Sequence, residues 1–321
     1  MIRYLLRRIA HAIFLLFGVS LLLFFLMQFA PGDFFSTARL SGSLSQKSIV
    51  ALRAEYGLDK PLPVRYVRWL NSVGHGDFGY SFAYNLPASE LLLPRARNTL
   101  LLTVPCLLIA WLIAVPLGVL AASRRGGWVD HFYSGGTSAL LGLHDLLLAL
   151  LALLLALRTG AFPTGGMMSL DAVGGLWANW KDVLWHMALP ATVLIVGSLA
   201  PILRHVRSTM LEVLDSHYIR AAEGHGVGRL TLLFRHALPA AANPLISLFG
   251  LSTALLIAGS MLVEVVLSWP GMGPMVLEAI LARDMFLVVG AVLLSTLFLI
   301  GGNFIADILL YVFDPRIRVD A

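Results

Sequence analysis

The chain has 321 residues, 58% of them hydrophobic and 13% charged, with a formal net charge of +5. A soluble domain carries about a quarter charged residues, so this composition excludes a water-soluble globular protein. In a membrane protein the positive balance marks cytoplasmic loops, not a nucleic-acid partner, and the single cysteine, Cys106, excludes an internal disulfide or a CxxC metal site.

Taken in chain order, stretches free of Asp, Glu, Lys and Arg run Ile9–Gly32, Asn98–Ser123, Val183–Leu203, His236–Val263 and Met285–Ala306. Each exceeds the roughly 20 residues that a helix needs to cross a hydrocarbon core about 30 Å thick. A sixth stretch, His131–Leu157, is interrupted only by Asp145. These predict an all-α polytopic membrane protein with six transmembrane helices. The first stretch follows Arg3, Arg7 and Arg8 but is too long for a signal peptide, and Gln28-Phe29-Ala30-Pro31 is a poor cleavage site, so a retained first span is expected.

Between the first two spans, about 31–97, lies the one sizeable polar segment. Ser48–Leu58 and Val64–Val73 have the apolar spacing of short helices, separated by the turn Asp59-Lys60-Pro61-Leu62-Pro63. The glycines of Gly74–Gly79 suit neither helix nor strand. The expectation is a small external cap with no fold of its own.

Basic residues orient the chain. Arg3, Arg7, Arg8, Arg124, Arg125, Arg204, Arg207, Arg220, Arg229, Arg235, Arg316 and Arg318 fall on one side of a six-span layout. The short loops opposite hold only Arg158, Lys181 and Arg283. Positive residues stay inside, which predicts both termini in the cytoplasm.

The loop after the fourth span, about 204–237, is longer than a connection needs. Ser208–Glu223 has helical spacing, Gly224-His225-Gly226-Val227-Gly228 breaks it, and Arg229–Leu238 places Leu230, Leu233 and Phe234 on one side before Pro239. A helix, a glycine turn and a second amphipathic helix make a compact protrusion. No GxxxxGK[ST] or HExxH run occurs, the histidines form no metal-ligand set, and no Ser, His and Asp stand at a telling spacing.

The protrusion resembles the EAA loop of permease subunits of bacterial ATP-driven (ABC) importers, EAA-x3-G-x9-I-x-LP. This chain reads Arg220-Ala221-Ala222, three residues, Gly226, nine residues, His236-Ala237-Leu238-Pro239. Arg220 in place of glutamate, within Tyr218-Ile219-Arg220-Ala221-Ala222, and the later Phe234-Arg235-His236-Ala237-Leu238 are similar to the dipeptide, oligopeptide and nickel branch. So are Ala30-Pro31-Gly32-Asp33, Tyr56-Gly57-Leu58-Asp59-Lys60-Pro61-Leu62, Gly76-Asp77-Phe78-Gly79-Tyr80-Ser81, Trp269-Pro270-Gly271-Met272-Gly273, Arg283-Asp284, Asp307 and Asp314-Pro315-Arg316. The likeness therefore spans nearly the whole chain.

The resemblance implies a type I importer permease fold: residues 1–96 as the first helix with its external cap, and 97–321 as the permease core with its coupling loop. It implies a multi-pass protein of the bacterial inner membrane, importing peptides or related small solutes, with no enzymatic activity of its own. Implied partners are a second homologous permease, two ATPase subunits that carry the ATP and Mg, and an extracytoplasmic substrate-binding protein; nucleic acid is not among them. Arg220, Ala221, Ala222, Gly226, Arg229, Leu230 and Phe234 would dock in a groove of the ATPase, the two arginines pairing with acidic groups at its rim.

Three further residues are candidates for the solute path. Asp145, beside His144, reads as lying near the middle of the third span, where a charge costs about 2.5–3.5 kcal/mol and must face protein or water. It would meet a cationic substrate group or bond a neighbouring helix, and the branch itself carries no aspartate there. Glu264, at the external end of the fifth span, would touch solute or binding protein, or simply be hydrated. A secondary transporter would instead need midplane ion sites and inverted repeats, of which the sequence offers only Asp145.

Overall fold

The structure, a computed structural model, describes residues 2–29, 34–35, 39, 45–169, 171 and 179–313. The motifs at Ala30–Asp33 and Asp314–Arg316, and Arg318, lie outside the described residues.

Helices dominate because long apolar runs in lipid satisfy their backbone groups only internally. In order they are α1 (Ile2–Phe29), α2 (Gln46–Glu55), α3 (Leu62–Gly74), α4 (Ala88–Ser123), α5 (Trp128–Leu141), α6 (Asp145–Thr159), α7 (Trp180–Leu214) and α8 (His217–Gly224). Then α9 joins Arg229–Thr231, a π-helical Leu232–Ala237 and Leu238–Ala240, followed by α10 (Ala242–Val266), α11 (Met272–Leu281) and α12 (Met285–Phe313). One two-residue hairpin, β1 (Tyr80–Ser81) and β2 (Leu86–Pro87), precedes α4, with Tyr80 opposite Pro87.

Five helices have the length and apolarity of membrane spans: Leu6–Met27 within α1, then α4, α7, α10 and α12. The sixth expected span is not one helix. Asp130–Leu141 and Asp145–Thr159 meet at 90°. Gly142 caps α5, and the imidazole of His144 accepts from Leu146 N–H at 3.3 Å, starting α6 afresh. Asp145 is accordingly the first residue of a helix and not the middle of one. Hydropathy alone reads through this break because Leu143 and the flanking leucines stay apolar.

The described chain divides into two compact units. In the first, from Leu100–Trp269 with α12 from Phe298 onward, α7 is central and packs against α5, α6 and α10. Leu102, Cys106, Ala149, Val193, Leu256 and Trp269 fill one part of its core; Ala110, Val206, Met210, Ile219 and Leu233 fill another. Small residues let helices approach. A Cβ on Gly118 would stand 2.6 Å from Val206 Cγ1, and one on Gly250 would stand 2.7 Å from Asn303 Oδ1. A forked ion pair crosses this unit: Arg207 Nε and Nη2 donate to the two carboxylate oxygens of Asp130 at 2.6 and 2.9 Å, tying α7 to α5.

The second unit comprises Leu5–Thr99 and Pro270–Leu297. Short helices occur where expected in the segment between α1 and α4, but their core is shared. Tyr66 and Trp69 of α3 pack on Phe24 of α1 and on Val289 and Leu293 of α12. Ser20 Oγ and Tyr66 Oη lie 2.8 Å apart, and Trp69 Nε1 donates to Phe78 O at 3.0 Å. Asp284 is the hub at the start of α12. Its carboxylate accepts from Ser81 Oγ at 2.7 Å, from Ala83 N–H at 3.1 Å and from Leu287 N–H at 3.3 Å. Tyr84 donates to Glu278 nearby; burial first, then that carboxylate, pushes its phenol up to about 12.

Candidate functional site

Two features stand out in the first unit: the protrusion around Gly226 and a cavity around Asp145. The protrusion begins where α7 ends at Leu214. Ser216 and His217 start α8, which is anchored by Ile219 in the core. The turn after α8 satisfies the last carbonyls of that helix: His225 N–H donates to Ala221 O at 3.0 Å and Val227 N–H to Ala222 O at 3.2 Å. Between them Gly226 adopts φ +79°, a left-handed geometry that glycine enters without steric cost. The glycine turn that the residues suggested is therefore present.

Leu232, Leu233 and Ala237 of α9 are buried, whereas Leu230 is 73% exposed and Phe234 53% exposed. With Tyr218, also half exposed, they form an apolar outer face on a unit whose inner face is already packed. The π-helical stretch has a local cause. Pro239 has no N–H for Arg235 O, so an ordinary ladder would lapse there, and Leu238 N–H reaches back to Leu233 O instead.

The two arginines have work inside the chain. Arg220 Nε donates to Asp215 O at 3.1 Å, closing the C-terminal end of α7. Arg229 donates to Ser123 O, the last carbonyl of α4. Arg125 reaches Asp215 at 2.9 Å, joining the turn after α4 to the turn after α7. The expected role for both arginines was pairing with a groove rim; their guanidiniums first fasten the protrusion to the ends of α4 and α7. Ala221 is exposed and Ala222 half-buried beneath them.

At the second feature, the Asp145 carboxylate is half-buried and lies against two glycines. A Cβ at Gly197 would overlap Asp145 Oδ1, and one at Gly259 would stand 2.7 Å from Oδ2. The carboxylate opens on a cavity of about 110 Å³ bounded by α6, α7 and α10, whose polar wall is Asp145, Gly197, Ser198 and Ser252. His144 sits at its edge in sequence, exposed, as the cap of α6. Glu264 is not a hydrated interface carboxylate: its side chain is fully buried, one turn before Trp269, whose N–H donates to Glu264 O at 2.9 Å. It is no part of the Asp145 cavity.

Sequence reasoning missed Asp130 and the serines of the cavity, and it met Asp284 only as part of a motif, without its role as a hydrogen-bond hub. Asp130 and Arg207 are far apart in sequence, and no local pattern announces their pairing.

A family model for the inner membrane component of binding-protein-dependent transport systems matches residues 114–319, and the model for the N-terminal part of such membrane components matches residues 1–103. The chain belongs to this family. Relatives of this inner-membrane permease include the oligopeptide transport system permease protein AppB of Bacillus subtilis, 35% identical over 99% of this chain and 100% of that protein. The dipeptide transport system permease protein DppB of Escherichia coli is likewise 35% identical, over 99% of each chain. As a family member the chain is a multi-pass inner-membrane component of a transport system, not an enzyme, and the matched segments run through both compact units.

Proposed function

We propose that this permease forms half of the solute path of an ATP-driven importer of peptides, and that the protrusion is the part an ATPase subunit drives. The observation that carries this reading is the exposed Tyr218, Leu230 and Phe234 face, held on a stem that Arg220 and Arg229 lock to the ends of α7 and α4. An apolar face on a rigid stem suits docking in a groove and passes a push to two spans at once. The peptide assignment follows AppB and DppB, which are named for oligopeptide and dipeptide transport.

The partners that complete the importer are a second, homologous permease, two ATPases binding ATP and Mg, and an external binding protein. Both termini and the protrusion face the cytoplasm; the arginines at 124, 125, 204, 207, 220, 229 and 235 support this, as basic residues favour that side. Asp145 and Glu264 belong to the solute side of the core, with His144 holding Asp145 in place by capping α6. The test is to tag the C-terminus, extract the protein in mild detergent and identify its companions by mass spectrometry. Recovery of a second permease and ATPases supports the reading. Recovery of this chain alone, under conditions that preserve a control importer, contradicts it.

A further inference from the structure

The cavity at the α5–α6 break has a chemical polarity that the importer reading does not use. Its walls carry acceptors and no free donor. Asp145 brings a carboxylate that takes no hydrogen bond or ion pair from any other described residue. The hydroxyl of Ser198 gives its proton to Leu194 O at 2.7 Å, and that of Ser252 to Leu248 O at 2.6 Å, so toward the cavity both oxygens offer lone pairs. Ser252 Oγ already accepts from Trp111 Nε1 at 3.2 Å, which leaves Ser198 the more available of the two.

Backbone adds a further acceptor. Pro201, also on the wall, has no N–H to give Gly197 O in the helical ladder of α7. A carbonyl released in this way inside a membrane is tolerated where it lines a cavity. The rest of the wall is aliphatic: Leu194, Ile202, Leu248, Leu255 and Leu256.

We propose that this cavity recognises a primary ammonium on an apolar stem, the aminoalkyl group of a lysine-containing peptide, as the solute passes. An ammonium is three donors and one positive charge. It meets here a carboxylate, a serine oxygen and a released carbonyl, while the leucines cover its methylenes. A volume of about 110 Å³ admits the end of such a side chain. Anions and acceptor-only groups find no complement. Gly197 and Gly259 are what give the carboxylate its place, since any side chain there would occupy it. The inference rests on the peptide-importer reading and narrows its substrate class.

The experiment measures uptake by cells expressing the complete importer of two tripeptides, Ala-Lys-Ala and Ala-norleucine-Ala, which differ by the ammonium group. Each variant is read as the ratio of the two uptakes relative to the same ratio for the unaltered protein, so any preference of the binding protein cancels. Loss of one charged hydrogen-bond acceptor predicts a fall in the ratio of about tenfold in Asp145→Asn, with Asp145→Glu largely restoring it. Ser198→Ala, which keeps the carboxylate, moves the ratio the same way by a smaller factor and serves if Asp145→Asn does not reach the membrane. An unchanged ratio in Asp145→Asn and in Ser198→Ala, or an equal fall in both uptakes, overturns the proposal while leaving the importer reading in place. Uptake of neither peptide by the unaltered protein would overturn the peptide reading and this inference with it.

Discussion

At the scale of residues, glycine positions separate into two kinds. Gly226 has open space where a Cβ would stand, so what it supplies is its φ of +79°. Gly226→Val should cost about 1–2 kcal/mol locally through left-handed strain and reopen the turn between α8 and α9. The expected outcome is normal membrane insertion with transport reduced severalfold, read by uptake against immunoblotted membrane protein. Gly197 is the other kind: its lack of a side chain makes room for the Asp145 carboxylate. Gly197→Ala should displace that carboxylate and reduce Ala-Lys-Ala uptake by about as much as Asp145→Asn, since both take the negative charge from the same place. The role of Gly226 was legible from the sequence because a glycine cluster between two amphipathic runs has few other meanings. That of Gly197 was not, because its neighbour lies on another helix.

Among the elements, α7 carries the most connections, and two of them are polar. Removing Asp130 leaves the partly buried Arg207 without its forked acceptor, and such a loss costs about 1–3 kcal/mol. Asp130→Ala should therefore lower the unfolding temperature of the detergent-solubilised protein, and Arg207→Ala should do so similarly. The double variant should lose less than the sum of the two, because the partners are coupled. The protrusion should behave in the opposite way. Leu230→Ser and Phe234→Ser alter side chains already exposed, so the thermal transition should hardly move while co-purification of ATPase falls.

Five spans could be read from the sequence because an uncharged apolar run of that length has no alternative in water. The sixth is a bent pair of helices and not one helix, since Gly142-Leu143-His144 ends one helix and caps the next without interrupting the hydropathy. The π-helical stretch of α9 follows from Pro239, a residue whose effect on the preceding ladder is visible only once the helix is known to continue past it.

For the whole molecule, space and sequence divide the chain differently. The apolar runs suggest a boundary near residue 97, and the family models meet between 103 and 114. The compact units instead exchange segments: α4 and α12 each contribute one end to either unit. Such sharing comes from long helices, each about 1.5 Å per residue, which outrun any one cluster of contacts. It could not have been read from periodicity, which reports faces of helices and not their neighbours. What the sequence did disclose at this scale was the likeness to ABC importer permeases, carried by the order of short motifs along the chain.

The central claim, that the protrusion docks on an ATPase, has a direct test. Cys106 is buried in the core, so a cysteine at Leu230→Cys would be the accessible thiol among the described residues. Membranes containing the complete importer, with single cysteines placed along the ATPase groove, would be treated with a short bifunctional thiol reagent. The account predicts a crosslinked product of this chain with the ATPase, at a subset of groove positions that changes when ATP is added. Absence of that product at every groove position, while the two proteins still co-purify, would contradict it.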